Sequence, residues 1–269
     1  MAQDQPVGAL LREWRKHRGL SQLDLAIQAE VSTRHVSFVE TGRTLPSRSM
    51  VLHLAKHLRV PLRQRNRLLV AAGYAPVYQE RPLDGPDLAM ARETIQQVLH
   101  GHEPYPALAL DRRWNILLSN AAAGVFLEGA DPALLGPPVN MMLLGLHPDG
   151  LAPRLLNLPE IRGYLLPRLA QQVHRSGDPD LSQLYEELLS YGPPVEPADP
   201  DPAAVALTIR IDHHGTELRL FSTVTTFGTA FDITLSEIAM ESYFPADEAT
   251  AAFLRARRET ALGTAVRTG

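Results

Sequence analysis

The segment of residues 32–43 brings hydrogen-bonding, cationic and aromatic side chains together at helical spacing. In a helix over Thr33–Thr41, Val36 and Val39 face inward. Four side chains share the opposite face: Thr33, Arg34, Ser37 and Phe38. The guanidinium of Arg34 offers a bidentate donor pair that matches the edge of a guanine. The chemistry that this face predicts is the reading of base edges in a DNA major groove.

The other residues of this segment have more than one reading. Thr33 suits a base edge or a thymine methyl group. Phe38 is apolar at a position that is expected to face solvent. It fits either a contact to a thymine methyl group or a contact to a neighbouring helix. Ser32 and Ser37 fit a phosphate contact or a helix cap. Arg43, just past the helix, is expected to follow the phosphate backbone.

Five short helices are predicted in the first seventy residues, and they position this face. Ser21 caps the second helix, and Asp24 lies three residues on, in an acidic version of the capping box. The helices are predicted at Val7–Arg18, from Ser21 to Ala29, at Thr33–Thr41, from Pro46–Ser47 onward, and from Pro61 to near Gly73. A tight turn at Glu30–Val31 joins the second helix to the third, which is typical of a helix-turn-helix unit.

Charge is distributed unevenly along the chain. Residues 1–82 carry 13 Lys and Arg against 6 Asp and Glu, a net charge of +7, whereas the remainder carries −11. A basic N-terminal part joined to an acidic remainder of the chain indicates that the N-terminal part binds a polyanion.

Composition excludes several classes of protein and site. The chain of 269 residues has no cysteine, which excludes disulfides, thiol nucleophiles and cysteine zinc sites. Its apolar runs are short and broken, so no membrane span is expected. The N-terminus lacks the basic start and apolar centre of a signal peptide. We therefore expect a cytoplasmic protein with no membrane partner.

The ordered runs SQLDLA at residues 21–26 and VSTRHVSFVETGRTLPS at residues 31–47 resemble the Xre/Cro family of phage repressors. The resemblance implies a DNA-binding helix-turn-helix domain over residues 1–75. It also implies that Gln22 clamps a phosphate. By the same resemblance Glu40 pairs with Arg15 and ties the third helix to the first, a structural role.

A connector and a linking helix are predicted over residues 76–103. Residues 75–86 are rich in Pro and Gly. The following stretch, Leu88–Leu99, has an apolar stripe at helical spacing. That helix fits a signalling element, a dimer contact or an edge of the second domain.

The remaining chain, residues 104–262, shows an α+β pattern. Asp178–Pro179 reads as a helix start, a cap followed by a first-turn proline. The pattern predicts strands at 107–110, 114–118, 205–211 and 217–227, with a helix at 120–126 and a turn at 213–216. We expect two domains: an all-α helix-turn-helix bundle of about five helices, and an α+β PAS-like sensor.

Several ordered segments of this domain resemble the ligand-binding domain of MmyB-like regulators. They are PYPALALD at 104–111, WNILLSN at 114–120, PVN at 138–140, HPDG at 147–150, FSTVTTFGT at 221–229 and ESYFPAD at 241–247. The resemblance implies a PAS-like domain whose cavity takes a small, largely apolar, fatty-acid-like molecule.

Candidate lining residues follow from the mixed chemistry of sensor pockets, which are mostly apolar with a few placed polar groups. The apolar candidates are Trp114, Phe126, Met141, Met142, Leu143, Phe221 and Phe227. The residues that could hold a polar headgroup are Asn115, Thr223, Thr225 and Arg154. Each of these residues also fits an ordinary core or surface position.

We expect no catalytic residues, metal site or cofactor, because the nucleophile-elbow, phosphate-loop and zinc-helix motifs are missing from the sequence. The expected partners are a double-stranded DNA operator, bound by a homodimer, and a small apolar ligand. Two alternatives stay open for the C-terminal domain: it docks a protein partner instead of a small molecule, or it is an enzyme fused to a DNA-binding domain.

Overall fold

The computed structural model describes residues 5–176, 178–192 and 206–267. The chain divides into two compact units. The first comprises Met1–Asp87 with Gly228–Ser236, and the second comprises Leu88–Phe227 with Glu237–Gly269. The helix expected over Leu88–Leu99 therefore belongs to the second unit.

Five α-helices lie between residues 5 and 87 of the first unit, as predicted: α1 Val7–His17, α2 Gln22–Gln28, α3 Thr33–Glu40, α4 Arg48–His57 and α5 Leu62–Ala71. The predicted capping box is present at α2. The Ser21 hydroxyl accepts from the Asp24 N–H at 3.1 Å, and the Asp24 carboxylate accepts from the Ser21 N–H at 2.8 Å. Leucine, valine and alanine side chains from all five helices pack into one core.

Two backbone features fix the position of α3 within this unit. A Cβ atom on Gly8 of α1 would lie 2.2 Å from the carbonyl oxygen of Val39, so glycine is required where the two helices touch. Glu30, in the turn between α2 and α3, has a φ of 52°. That left-handed conformation is strained for a residue with a side chain.

The connector after α5 is held on two sides within the first unit. The Asn66 side chain of α5 accepts from the backbone N–H of Tyr78 at 3.1 Å and donates to its carbonyl oxygen at 2.7 Å. Arg81 donates through Nε to the carboxylate of Asp232 at 2.9 Å, and Asp232 is only 1% exposed. The connector is thereby attached to the segment Gly228–Ser236.

The second unit is built on an antiparallel sheet with strand order β2-β1-β5-β4-β3. The strands are β1 Ala107–Leu110, β2 Ile116–Ser119, β3 Ile209–His213, β4 Thr216–Thr226 and β5 Ala239–Pro245. β5 is central: Ser242 lies opposite Ala107 of β1, and Tyr243 lies opposite Ser222 of β4. This sheet and the helices around it confirm the α+β, PAS-like class.

Three details differ from the sequence predictions. The predicted strands do not include β5, which is buried on both faces, at Met240 on one and Tyr243 on the other, and so lacks a polar alternation. β2 begins at Ile116 and not at Trp114, because Trp114 adopts a φ of 69° in the turn after β1. His213, expected in a turn, ends β3 and is buried, whereas the expected strand residue Val205 lies outside the described ranges.

Helices cover this sheet and close its core. In the second unit they are α6 Ala89–Gly101, α7 Gly124–Leu127, α8 Met141–Leu146, α9 Leu158–Ser176, α10 Pro179–Ser190 and α12 Glu248–Arg267, whereas α11 Ile233–Glu237 lies, apart from its last residue, in the segment Gly228–Ser236 of the first unit. α10 begins as predicted, with Asp178 accepting from the Asp180 N–H at 3.0 Å. The predicted helix at 120–126 is a 3₁₀ turn, Ala121–Ala123, followed by α7. None of the helices in the described ranges combines the length and apolar character needed to cross a bilayer.

Candidate nucleic-acid interface and ligand-binding residues

The exposed face of α3 carries the side chains that the sequence assigned to DNA. Val36 and Val39 are each 1% exposed in the core, while Arg34 is exposed and Ser37 and Phe38 are partly exposed on the other side. Helical periodicity alone accounts for this division, since the two valines lie three residues apart. Ser32 caps the helix by accepting from the His35 N–H at 3.1 Å, one of its two expected roles.

Phe38 organises two arginines on this face. The guanidinium of Arg34 lies 5.0 Å from the centre of its ring, and that of Arg43 lies 5.6 Å from it. Both distances are those of cation–π contacts. Arg43 is placed by the backbone, since Gly42 ends α3 with a φ of 74° and the Arg43 N–H then donates to the Phe38 carbonyl at 2.9 Å. This arrangement, which the sequence did not predict, holds two cationic donors side by side.

Behind this face lies the predicted Arg15–Glu40 pair. Arg15 donates to both carboxylate oxygens of Glu40, at 2.6 and 2.9 Å, and to the carbonyl oxygen of Leu20 at 2.7 Å. Hydrogen bonding to Glu40 raises the pKa of Arg15. Gln22 donates its side-chain N–H to the same carboxylate at 2.8 Å. Its second side-chain N–H then remains to donate to a phosphate, the role that the family resemblance implies.

In the second unit, five of the eleven candidate ligand-binding residues join one apolar cluster. Phe126 and Met142 are fully buried there, and Trp114, Met141 and Leu143 pack against them partly exposed. Phe126 contacts the ring of Tyr243 with centroids 4.7 Å apart. The cluster lies on the face of the sheet that carries Tyr243.

Phe221 and Thr223 lie on the opposite face of the sheet from that cluster. Side chains alternate along β4, and Phe221 is paired with Phe244 while Ser222 is paired with Tyr243. The Phe221 and Phe244 rings stack at 5.5 Å. Phe227 follows the last residue of β4 and is half-buried. The structure therefore does not bring all eleven candidates around one space.

Two of the polar candidates, Arg154 and Asn115, already have protein partners. Arg154 donates to the carbonyl oxygens of Val125 at 3.0 Å and Asp212 at 3.2 Å, and also to that of Glu128. Asn115 donates to Asp111 at 2.9 Å and accepts from a neighbouring asparagine. These bonds give both side chains structural roles, so a headgroup would have to displace them.

One acidic group that the sequence analysis missed lies on the Tyr243 face of the sheet. The carboxylate of Glu241 accepts from the Ser222 hydroxyl at 2.7 Å. Burial raises the pKa of Glu241 and also that of Tyr243, which hydrogen-bonds to it. Burial of the strand on both faces hides this residue from any pattern based on alternation.

A second group combines Glu128, His213 and His214, whose ligand atoms lie within 4.8 Å of one another. Two arginines also contact it: Arg257 pairs with Glu128, and Arg154 lies 3.3 Å from Nδ1 of His213. Burial lowers the pKa of His213. Because the arginines already neutralise the carboxylate, the surroundings disfavour a metal cation here.

A cavity of about 460 Å³ opens in the second unit between α6, the 3₁₀ turn at Ala121–Ala123 and α12; we call it the α6–α12 cavity. It is lined by His100, Glu103, Pro104, Ala121, Ala122, Leu254, Arg257 and Arg258. None of the eleven candidate ligand-binding residues is among them. Four residues of this lining come from α12 and α6, whose sequence patterns gave no sign of a pocket.

Comparisons with known proteins agree with both predicted domains. Residues 6–68 match a family model described as a helix-turn-helix domain. Residues 91–256 match the model described as the MmyB-like transcription regulator ligand binding domain. No curated protein matches the sequence significantly.

Among solved structures, the PAS domain of Bordetella pertussis BvgS matches at 18% identity. The alignment covers 65% of this chain and 98% of that chain. Its TM-score is 0.25, too low to support a structural argument.

The family matches suffice to classify the protein. Both matched models describe regulator domains, and the ligand-binding model alone spans more than half of the chain. The helix-turn-helix match at residues 6–68 precedes the ligand-binding match along the chain, and it includes α3, whose exposed face is described above. The chain belongs to the family of the MmyB-like transcription regulator ligand binding domain, and it is a DNA-binding transcription regulator with a helix-turn-helix domain.

Proposed function

We propose that the protein is a sequence-specific, cytoplasmic regulator, without catalytic activity, whose binding to an operator changes when its C-terminal domain binds a small apolar, fatty-acid-like molecule. The proposal that the protein binds DNA rests on the exposed face of α3, where the guanidinium groups of Arg34 and Arg43 lie over the ring of Phe38. Arg34 reads a guanine edge, and Arg43 contacts the adjacent phosphate.

A homodimer is the form that this proposal requires. A single α3 of eight residues reaches few base pairs. Two copies related by two-fold symmetry read two half-sites and multiply the specificity.

The ligand acts through a difference in its affinity for two conformations of the protein. The chain offers a route for such coupling. The segment Gly228–Ser236 leaves β4 and returns into β5, yet it packs with the first unit, where Asp232 holds Arg81 of the connector. A change in the β4–β5 pair is thus conveyed through covalent continuity to the connector.

The DNA side is tested by selecting an operator from a random duplex library and measuring the affinities of variants by fluorescence anisotropy. Arg34→Ala should weaken discrimination at one base position by roughly 1–3 kcal/mol. Arg43→Ala should weaken binding to all sequences alike and lower the salt dependence by about one phosphate contact. Arg255→Ala, at an exposed arginine of α12 paired with Glu248, is the matched control. Equal, negligible effects of Arg34→Ala and Arg43→Ala would contradict the proposal.

A further inference from the structure

Strand β4 is longer than β3, the strand on one side of it. β3 pairs with β4 only as far as Leu220, which lies opposite Ile209, whereas β5 continues along β4 from Leu220 to Thr226. Residues 221–226 therefore have a hydrogen-bonded strand on one side only. On the other side, which we call the open edge of β4, no residue that the structure describes forms a backbone hydrogen bond to them.

The pairing of β4 with β5 shows which backbone groups point to the open edge. Neighbouring residues of an antiparallel strand direct their N–H and C=O groups to opposite sides. The N–H of Ala246 donates to the carbonyl oxygen of Arg219 at 2.8 Å, so the backbone groups of Arg219 face β5. Every second residue along the strand does the same, so residues 221, 223 and 225 also face β5. The residues whose N–H and C=O groups face the open edge are Ser222, Val224 and Thr226.

The side chains along the open edge are uncharged and accessible to solvent. Residues 221–226 read FSTVTT, without a charged residue or a proline. Val224 is 48% exposed, and the other residues of 223–226 are exposed as well. Proteins commonly protect a free edge strand with charged residues or a proline, and this stretch has neither. Such an edge is a template for pairing with another strand.

The occupant that this edge fits is the same edge of a second copy of the chain. A two-fold axis perpendicular to a strand pairs it antiparallel with its copy. With the axis at Val224, this residue lies opposite its copy, and Ser222 lies opposite Thr226 of the second copy. All three outward residues are then paired, and since each such pair exchanges two N–H···O bonds, about six hydrogen bonds form. Because the stretch is uncharged, the two copies meet without like-charge repulsion.

We propose that two copies of this chain dimerise through residues 221–226 of β4, with Val224 on the two-fold axis, so that their sheets join into one. This inference rests on the proposed function for the homodimer, and it adds the surface and the register. One residue, Phe227, separates the contact from the segment Gly228–Ser236, which packs with the first unit. The dimer contact is thereby adjacent along the chain to the segment that holds the connector.

Cross-linking tests the register directly, because the full-length chain has no cysteine of its own. In the proposed dimer the two Cα atoms of residue 224 lie about 5.5 Å apart, a separation that a disulfide spans. Those of residue 223 lie diagonally, about 7–8 Å apart, which is too far. Under mild oxidation, Val224→Cys should therefore form covalent dimers at least tenfold faster than Thr223→Cys, whose position is also exposed.

A proline variant tests the same contact without an added thiol. Val224→Pro removes an N–H that faces the open edge and leaves the hydrogen bonds to β5 in place. It should raise the dissociation constant of the dimer at least tenfold in sedimentation equilibrium. Val224→Thr keeps the N–H and a branched side chain, so it should stay within twofold of wild type. Circular dichroism checks that Val224→Pro is folded, and cross-linking decides the outcome if it is not.

Failure of this inference and failure of the proposed function give different results. A wild-type dimer whose two cysteine variants cross-link at equal rates, or a folded Val224→Pro that dimerises as wild type does, would overturn this inference and leave the homodimer intact. A protein that is monomeric in solution and binds its operator as a single copy would contradict the homodimer of the proposed function as well.

Discussion

Removing Arg15 should strongly destabilise the DNA-binding helices. Its side chain is 9% exposed, and that of its partner Glu40 is 2% exposed. Arg15→Ala removes the two hydrogen bonds to this carboxylate and the one to Leu20, leaving Glu40 with a single donor from Gln22. Leaving one charge of a buried pair uncompensated costs about 3–5 kcal/mol.

That cost is a large fraction of the roughly 5–15 kcal/mol by which a domain is stable. The assay is urea denaturation followed by the fluorescence of Trp14, which lies on α1, in a Trp114→Phe background. The chain has two tryptophans, so this background isolates the signal of the first unit. A shift of the midpoint without a change of slope would report stability alone.

Two further variants separate the lost pair from other effects. Arg12→Ala removes an exposed arginine from the same helix and should change the stability by no more than about 0.5 kcal/mol. The double variant Arg15→Met with Glu40→Leu removes both charges and should cost less than Arg15→Ala alone. If Arg15→Ala costs no more than Arg12→Ala, the argument from the buried charge is refuted.

Three further predictions follow from the local geometry. Gly8→Ala should destabilise the first unit in thermal unfolding, because its Cβ would meet the Val39 carbonyl at 2.2 Å; an unchanged midpoint contradicts the close contact. Glu30→Gly should raise the unfolding free energy by up to about 1 kcal/mol by relieving the positive φ, and a loss of stability would contradict that reading. Hydrogen bonds from two arginines lower the pKa of Glu217 to about 2. The NMR titration of Glu217 should therefore show this low pKa, and Arg210→Gln should raise the pKa. The contribution of Glu217 to stability is present above the pKa of the unfolded chain, and it is lost as pH falls towards 2.

The N-terminal unit could be predicted closely because its signals are local. The capping serines, the glycine after α3 and the spacing of Val36 and Val39 act within a few residues along the chain. The Arg15–Glu40 pair spans 25 residues and was available only through the family resemblance. The stacking of two arginines on Phe38 depends on side-chain conformations that spacing does not encode.

The C-terminal unit was predictable in class and less so in detail. Strands with one exposed face, such as β3 and β4, alternate and were found, whereas the central β5 does not alternate. The α6–α12 cavity was harder still to predict, because it depends on how α6, α12 and a 3₁₀ turn meet across more than 150 residues. Chemistry suggested Phe221 and Thr223 for the lining, but strand pairing puts them on the other face of the sheet from Phe126. Whether those candidates contact a ligand remains a prediction.

The most direct test of ligand-regulated DNA binding is the operator affinity of the full-length protein with and without saturating dodecanoate, measured by fluorescence anisotropy at fixed salt. Allosteric coupling of 1–3 kcal/mol changes an affinity by about 5–150-fold. We predict a change of at least fivefold in the wild-type protein. An operator affinity that stays the same while calorimetry records bound dodecanoate would contradict the account.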